Sequence, residues 1–411
     1  MPRHYTVINH GREGIRDFER LVKPRYRGRS AALFSDELRL LHYLTAVSGG
    51  PVSEPILLTV HRGGSDDRGA LGPVVGSVMM LPPGGALCTD LDPADPDMVY
   101  AVARELFHAL PGHADDDMDP GTIDHAELAR EMPSLYGEIG AVTALSTAWS
   151  KLTGLSSRLI HPQRVQVLDP DRLDAGARGV PGYAVLSGSP RTGDAALTEL
   201  VQDYVDHGDG VGRTAADLPE LLGVLPAETL AVQQLLTKLS GGGEDLVPVG
   251  EAFAREAREL GDRTVLWIDG SATKRPVAMA HMTYPAEGVI RIGPVHVAVR
   301  AIAAPHARHP ALRGREEKFP QLMALARHAE EAASTPHPSL GELRTTMRDA
   351  YRAAVVGEAA RLAHKAGARY VVVHTVMDDP SVAAMYRSIG FEPVASLARA
   401  IFSPAGTIAL R

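Results

Sequence analysis

Apolar runs and helix-spaced apolar positions alternate along the chain, and their periods predict its elements. Residues 12–44 read as a basic, helical opening. Two apolar runs follow, 55–60 and 74–81, split by the polar stretch Arg62-Gly63-Gly64-Ser65-Asp66-Asp67 and closed by Pro82-Pro83-Gly84-Gly85, which predicts a hairpin with a long loop. Helical spacing returns over 98–110 and over 141–152, the latter stopped by Gly154. These elements predict an α+β unit over residues 1–165.

A second unit begins with a strand-like run over 180–186 and a helix over 194–211. The Gly- and Pro-punctuated stretch beyond it, including Ser240-Gly241-Gly242-Gly243-Glu244, reads as a connector. A helix over 251–260 then leads into strands over 264–269, 276–283 and 289–299. After a helix-rich segment come a strand over 370–376, a helix opened by Asp379-Pro380, the helix stop Gly390 and closing strands.

Composition narrows the class. With 411 residues, 45% of them hydrophobic and 22% charged, the chain can bury a full core, which excludes disorder, collagen and a disulfide scaffold. No apolar run approaches the roughly 18 uncharged residues that a membrane helix needs. The opening Met1-Pro2-Arg3-His4-Tyr5 lacks the basic-then-apolar order of a secretory leader, so the expectation is a soluble, cytoplasmic protein without membrane contact. A single cysteine, Cys88, admits neither an internal disulfide nor a cysteine-based metal site. Asp115-Asp116-Asp117-Met118-Asp119 approaches a calcium loop but has Pro120 at its sixth position and Ala126 at its twelfth, and no metal is expected. The net charge of −8 is uneven. Residues 84–140 carry thirteen acidic against two basic residues, whereas 296–370 carry twelve basic against seven acidic, so a local surface can hold phosphates on an acidic chain.

At Trp267-Ile268-Asp269-Gly270, Arg291-Ile292-Gly293-Pro294-Val295-His296-Val297 and Met385-Tyr386-Arg387-Ser388-Ile389-Gly390-Phe391, the C-terminal half resembles the GNAT superfamily of acyltransferases over roughly residues 180–411. Ala148-Trp149 and Thr153-Gly154-Leu155 are similar to features of the tandem members, in which an N-terminal domain without motifs of its own precedes an active one. The resemblance implies a mixed α/β (α+β) fold of two tandem GNAT-like domains, each a partly splayed sheet flanked by helices. Residues 1–165 would form the N-terminal, non-catalytic domain, and 166–411 the acyl-transfer domain with an insertion at about 301–345.

The activity so implied is amide formation, with an activated acyl group meeting an amine where two parallel strands separate. The carbonyl would be polarised by backbone groups of the segment Gly293 to Val297, Val295 and Val297 among them. Tyr386 matches the tyrosine that protonates the leaving group. His296, beside the carbonyl segment, and Glu256, on the helix flanking the acceptor pocket, are candidate bases, with His281 a further rival.

The donor is where the sequence departs from the family. The coenzyme A motif, a glycine nest at a helix start, is matched by Met347-Arg348-Asp349-Ala350-Tyr351-Arg352, with side chains at both glycine-type positions. Ala383 stands where the family often has a pantetheine-binding Asn. The insertion supplies Arg308, Arg313 and Arg315, and residues 319–333 are expected to form a helix. Donor candidates are therefore Arg348 and Arg352 together with those three arginines. Three functions follow: transfer of an amino acid from an aminoacyl-tRNA to a small-molecule amine, as in cell-wall or natural-product assembly, which needs no coenzyme A; acetyl-coenzyme A or other acyl-coenzyme A dependent N-acetylation through a reshaped site; and a binding pseudoenzyme. Arg25-Tyr26-Arg27-Gly28-Arg29-Ser30 nearly spells the coenzyme A motif but precedes the strands of its domain, and reads instead as a basic patch with Arg20 and Lys23. The run from His374 to Asp378 reads as sheet residues.

Overall fold

The computed structural model describes residues 4–46, 54–63, 71–82, 84–110, 124–168, 173, 180, 182–187, 193–207, 249–268, 275–298, 339–376 and 380–404. It divides into two compact units, the first holding the described residues up to Val165 together with those from Ala395 onward.

In the first unit, strands β1 (Tyr5–Asn9), β2 (Ile56–Arg62), β3 (Val74–Met80) and β4 (Ala86–Leu87) pair antiparallel in chain order, and β5 (Ser134–Glu138) joins β4 in parallel. The expected hairpin is the β2–β3 pair. The opening is α1 (Ile15–Val22), two short 3-10 turns and α2 (Ser35–Ala46). β1 ahead of them is short and partly buried, with Tyr5 and Val7 turned to the core. Helices α3 (Pro96–Ala109), α4 (His125–Glu131) and α5 (Ile139–Thr153) complete the unit, the last ending on Gly154 in the left-handed conformation at φ 74°. Its core gathers Leu58, Val78, Val102, Leu106, Leu145 and Trp149.

The chain enters the second unit within β6 (Ser156–Leu168). There β7 (Tyr183–Leu186), β8 (Arg263–Ile268), β9 (Pro276–Met282) and β10 (Val289–Val297) pair antiparallel in chain order, and β11 (Tyr370–Val376) joins β10 in parallel. The pattern of the first unit, four antiparallel strands and a parallel fifth, is thus repeated, as the tandem resemblance implied. α6 (Gly193–His207) and α7 (Val249–Glu259) cover one face, and α8 (Ser339–Lys365) and α9 (Pro380–Ile389) cover the other.

Two expectations need correction. Residues 395–411 were assigned with 166–411, but the described ones belong to the first unit: in β12 (Phe391–Ser403), residues 397–401 pair antiparallel with β5, and Ala400 and Phe402 enter the core beside Trp149. An unpaired β5 edge would leave buried backbone groups without partners, which this pairing avoids. The second correction concerns α8. It starts at Ser339, so Met347 to Arg352 lie two turns inside a helix and not at its start. The expected helix over 319–333 lies outside the described residues.

Candidate active site

The site begins where β10 and β11 part. Their parallel register runs from Val289 opposite Tyr370 to Ile292 opposite Val373. Beyond Ile292, β10 continues on β9 alone, with Val295 opposite Ala280 and Val297 opposite Ala278. Between Ile292 and Val295 the register shifts, so that β10 carries one residue more than β9 over this interval. This bulge holds Gly293 at φ 151°, and it bends β10 at the point where the two strands separate.

Hydrogen bonds on the β9 side fix which groups face the opening. The Ala298 amide donates to the Val277 carbonyl at 2.8 Å. Backbone groups alternate between the two edges of a strand, so His296 shares the edge of Ala298, and Val295 and Val297 turn their backbone groups to the opposite, β11-facing edge. Both predicted carbonyl-binding positions therefore face the cleft.

Side chains alternate too. Val295 and Val297 pack into the apolar cluster that includes Tyr351 of α8 and Tyr386 of α9. Tyr386 is buried, its ring edge-on to Phe391 at 5.5 Å. His296 points to the other face, where its Nε2 is 2.8 Å from Asp203 Oδ2 on α6 and Tyr204 packs edge-on at 5.2 Å. Asp203 in its carboxylate form accepts the Nε2 proton, which makes Nδ1 the basic nitrogen. The acid and the histidine candidates thus sit on opposite faces of the sheet at the splayed strand. Sequence reasoning missed Asp203, because nothing in the run of α6 marks one acidic residue as the partner of a strand histidine far along the chain.

The rival bases are placed differently. His281 is enclosed, bonded through Nδ1 to Thr264 Oγ1 at 2.9 Å and through Nε2 to Asp262 Oδ2 at 3.1 Å, with Phe253 edge-on at 4.8 Å. Nδ1 ties β9 to β8, and Nε2 ties it to the turn between α7 and β8, which is a structural task. Glu256 is half-buried on α7, beside the buried stripe of Phe253, Ala257 and Leu260. α7 packs on α6, the helix that bears the His296 partner.

On the donor side, Arg348 and Arg352 stand one turn apart on α8, flanking Tyr351 of the cleft cluster. Arg348 is 8% exposed and Arg352 2%. Asp349 lies 3.9 Å from Arg352 Nη1, and Arg348 Nε is buried with no hydrogen-bond partner. Amides in the interior of α8 donate to carbonyls four residues back, so a backbone nest at 347–352 is excluded and only side chains can meet an anion there. Arg308, Arg313 and Arg315 lie outside the described residues. His374 is a buried sheet residue on β11, as expected. Of the expected basic patch at the start of the chain, Arg25 makes a two-pronged pair with Asp90 at 2.7 and 2.8 Å, Arg20 meets Asp17 at 3.1 Å, and Lys23 meets Glu19. In the first unit, four residues before the Gly154 stop is Ser150, where four residues before Gly390 is Tyr386.

No family model matches the chain, and no curated protein matches it. Solved structures do. A tandem GNAT protein from the clavulanic acid biosynthesis pathway is 14% identical, with 99% of this chain and 100% of that one covered, at a TM-score of 0.45. GCN5-related N-acetyltransferases from Sphaerobacter thermophilus and Kribbella flavida are 12% and 13% identical, covering 96% and 92% of this chain and 94% and 97% of theirs, at TM-scores of 0.41 and 0.36. The strand order and the splayed parallel pair described above are those that the resemblance to GNAT acyltransferases implied. Among the described residues no helix is long and apolar enough to cross a membrane.

Proposed function

We propose that the second unit is an acyltransferase that forms an amide on the amino group of a small molecule, taking the acyl group from an acyl-coenzyme A. The observation that carries the donor is the buried pair Arg348 and Arg352. A guanidinium removed from water is costly unless an anion meets it, and Arg348 Nε has no protein partner. A pyrophosphate is compact and doubly charged, and it suits two guanidinium groups one turn apart. In this reading Val295 and Val297 hold the acyl carbonyl, His296 positioned by Asp203 accepts the proton of the amine, and Tyr386 protonates the leaving thiolate.

A second reading, an aminoacyl-tRNA donor, is favoured by one observation: at 347–352 the helix offers no backbone nest of the kind coenzyme A commonly uses. The two are separated by measuring binding and turnover of the full chain with acetyl-coenzyme A and with charged tRNA. The coenzyme reading expects saturable acetyl-coenzyme A binding that Arg348→Met weakens, and amide formation that survives ribonuclease. Activity abolished by ribonuclease and falling steeply with salt would replace it with the tRNA reading.

A further inference from the structure

The first unit has a groove of its own. It lies between α3 and α5, has a volume of about 690 Å³, and is walled by Pro96, Val99 and Tyr100 of α3 and by Ile139, Ala144 and Ala148 of α5. That volume is in the range of small-molecule clefts. Tyr100 is 53% exposed, so the groove presents an apolar ring to water. Along its α5 wall, from Ile139 to Lys151, the helix runs about 18 Å at 1.5 Å per residue.

What head group such a ligand carries is set by the polar groups at hand. The helix starts ordinarily attract an anion, but here the protein closes both. Glu138 Oε2 accepts hydrogen bonds from the Gly140 amide at 2.7 Å and the Ala141 amide at 3.1 Å at the start of α5. Asp95 accepts from the Met98 amide at 3.2 Å and from the Tyr5 hydroxyl at the start of α3, where Pro96 contributes no N–H. Neither carboxylate lines the groove, and both are spent on these bonds. The hydroxyls of the wall are also committed: Thr143 donates to the Ile139 carbonyl at 2.6 Å and Thr147 to the Thr143 carbonyl at 2.8 Å.

Lys151 is different. Among the described residues it is the one charged side chain that lines the groove, and it takes part in no ion pair. Long side chains on a helix lean toward its N-terminus, so the Lys151 stem lies back over the turn of Thr147 and Ala148 and carries its ammonium to the end of the apolar walls. The groove thus has an apolar body and a single cation at one end.

We propose that this groove binds an elongated apolar carboxylic acid as its anion, with the carboxylate at Lys151 and the hydrocarbon body along Ala148, Ala144, Tyr100 and Val99. The apolar walls supply the buried area, and Lys151 sets the sign of the head group. The closed helix starts offer no amide to a second anionic group at the far end. The groove belongs to the first unit, and its ligand does not depend on the acyl transfer proposed for the second.

The test is calorimetry on the full-length chain near neutral pH with n-octanoate and n-octylamine, which differ in the sign of the head group. Residues 84–140 carry thirteen acidic against two basic residues, so the field of this surface favours the amine, and a preference for the acid reports Lys151. The expected result is saturable binding of n-octanoate, severalfold tighter than n-octylamine. Lys151→Glu, at an exposed position, is expected to reverse that order. Thr147→Trp, also exposed, fills the groove and is expected to weaken n-octanoate by about tenfold or more. The proposal is overturned if n-octanoate does not saturate, if n-octylamine binds the unaltered protein as tightly, or if Lys151→Glu keeps the original order. Binding of n-octanoate that survives Thr147→Trp lies elsewhere and overturns it too. The comparison of acid with amine on the unaltered protein decides even if a variant fails to fold.

Discussion

His296 on β10 and Asp203 on α6 meet at 2.8 Å across 93 residues of sequence, the histidine fully buried and the aspartate partly buried. With Asp203 as carboxylate the pair fixes the imidazole's orientation and places a proton on Nε2, as the base role proposed for His296 requires.

Asp203→Asn should therefore lower kcat/KM by about tenfold to a thousandfold, because an amide cannot stabilise the imidazolium that forms. The pH–rate profile separates this from loss of structure. The acidic limb should move to lower pH, since the histidine loses the charge that favours its protonated form. An unchanged profile would remove His296 from the reaction.

Tyr386→Phe removes one hydroxyl while the ring keeps its edge contact with Phe391. The expected outcome is a native thermal transition with turnover lowered by one to several powers of ten. Full activity in that variant would take the leaving-group proton away from Tyr386.

Arg348→Met replaces a buried charge by an apolar chain of similar length. Since Arg348 Nε makes no hydrogen bond, the folded protein should lose little stability in urea unfolding. Donor KM should rise by tenfold or more with the acceptor KM unchanged. Marked destabilisation would show that the arginine serves the fold and not the donor.

Glu37 on α2 is 3% exposed, and burial pushes its carboxyl up to about 8. Its Oε1 is buried with no hydrogen-bond partner, which suits a neutral carboxyl. A carboxyl whose folded pKa lies above its unfolded one keeps its full contribution below about pH 4.5 and loses it as pH rises toward 8. Stability should fall across that window by an amount on the order of a few kcal/mol, and Glu37→Gln should flatten the slope. Urea midpoints at pH 5 and pH 8.5 decide it.

Phe402→Ala should cost about 3–5 kcal/mol, because the ring sits in the first unit's core 6.1 Å from Trp149. Proteolysis should then open the first unit before the second. Equal loss in both would contradict the assignment of this strand's end to the first unit.

Much of the fold was legible. The apolar runs that became β8, β9, β10 and β11 have the period and length of buried strands, and the Gly154 and Gly390 stops fall where helices end. Of the candidate site, Val295, Val297, His296, Tyr386, Arg348 and Arg352 are named by the resemblance to GNAT acyltransferases, from the segments that match that family's motifs. What the sequence could not show was which residues these would meet. Short-range rules specify period, caps and turns, and they carry no information on partners remote along the chain. Tertiary packing put Asp203 against His296, turned Glu37 inward, buried two arginines on a helix two turns longer at its start than its motif suggested, and returned the end of β12 to β5. Each of these is decided by burial, since a polar group removed from water must find a partner, change its protonation or wait for a ligand, and only the folded chain determines which of the three occurs.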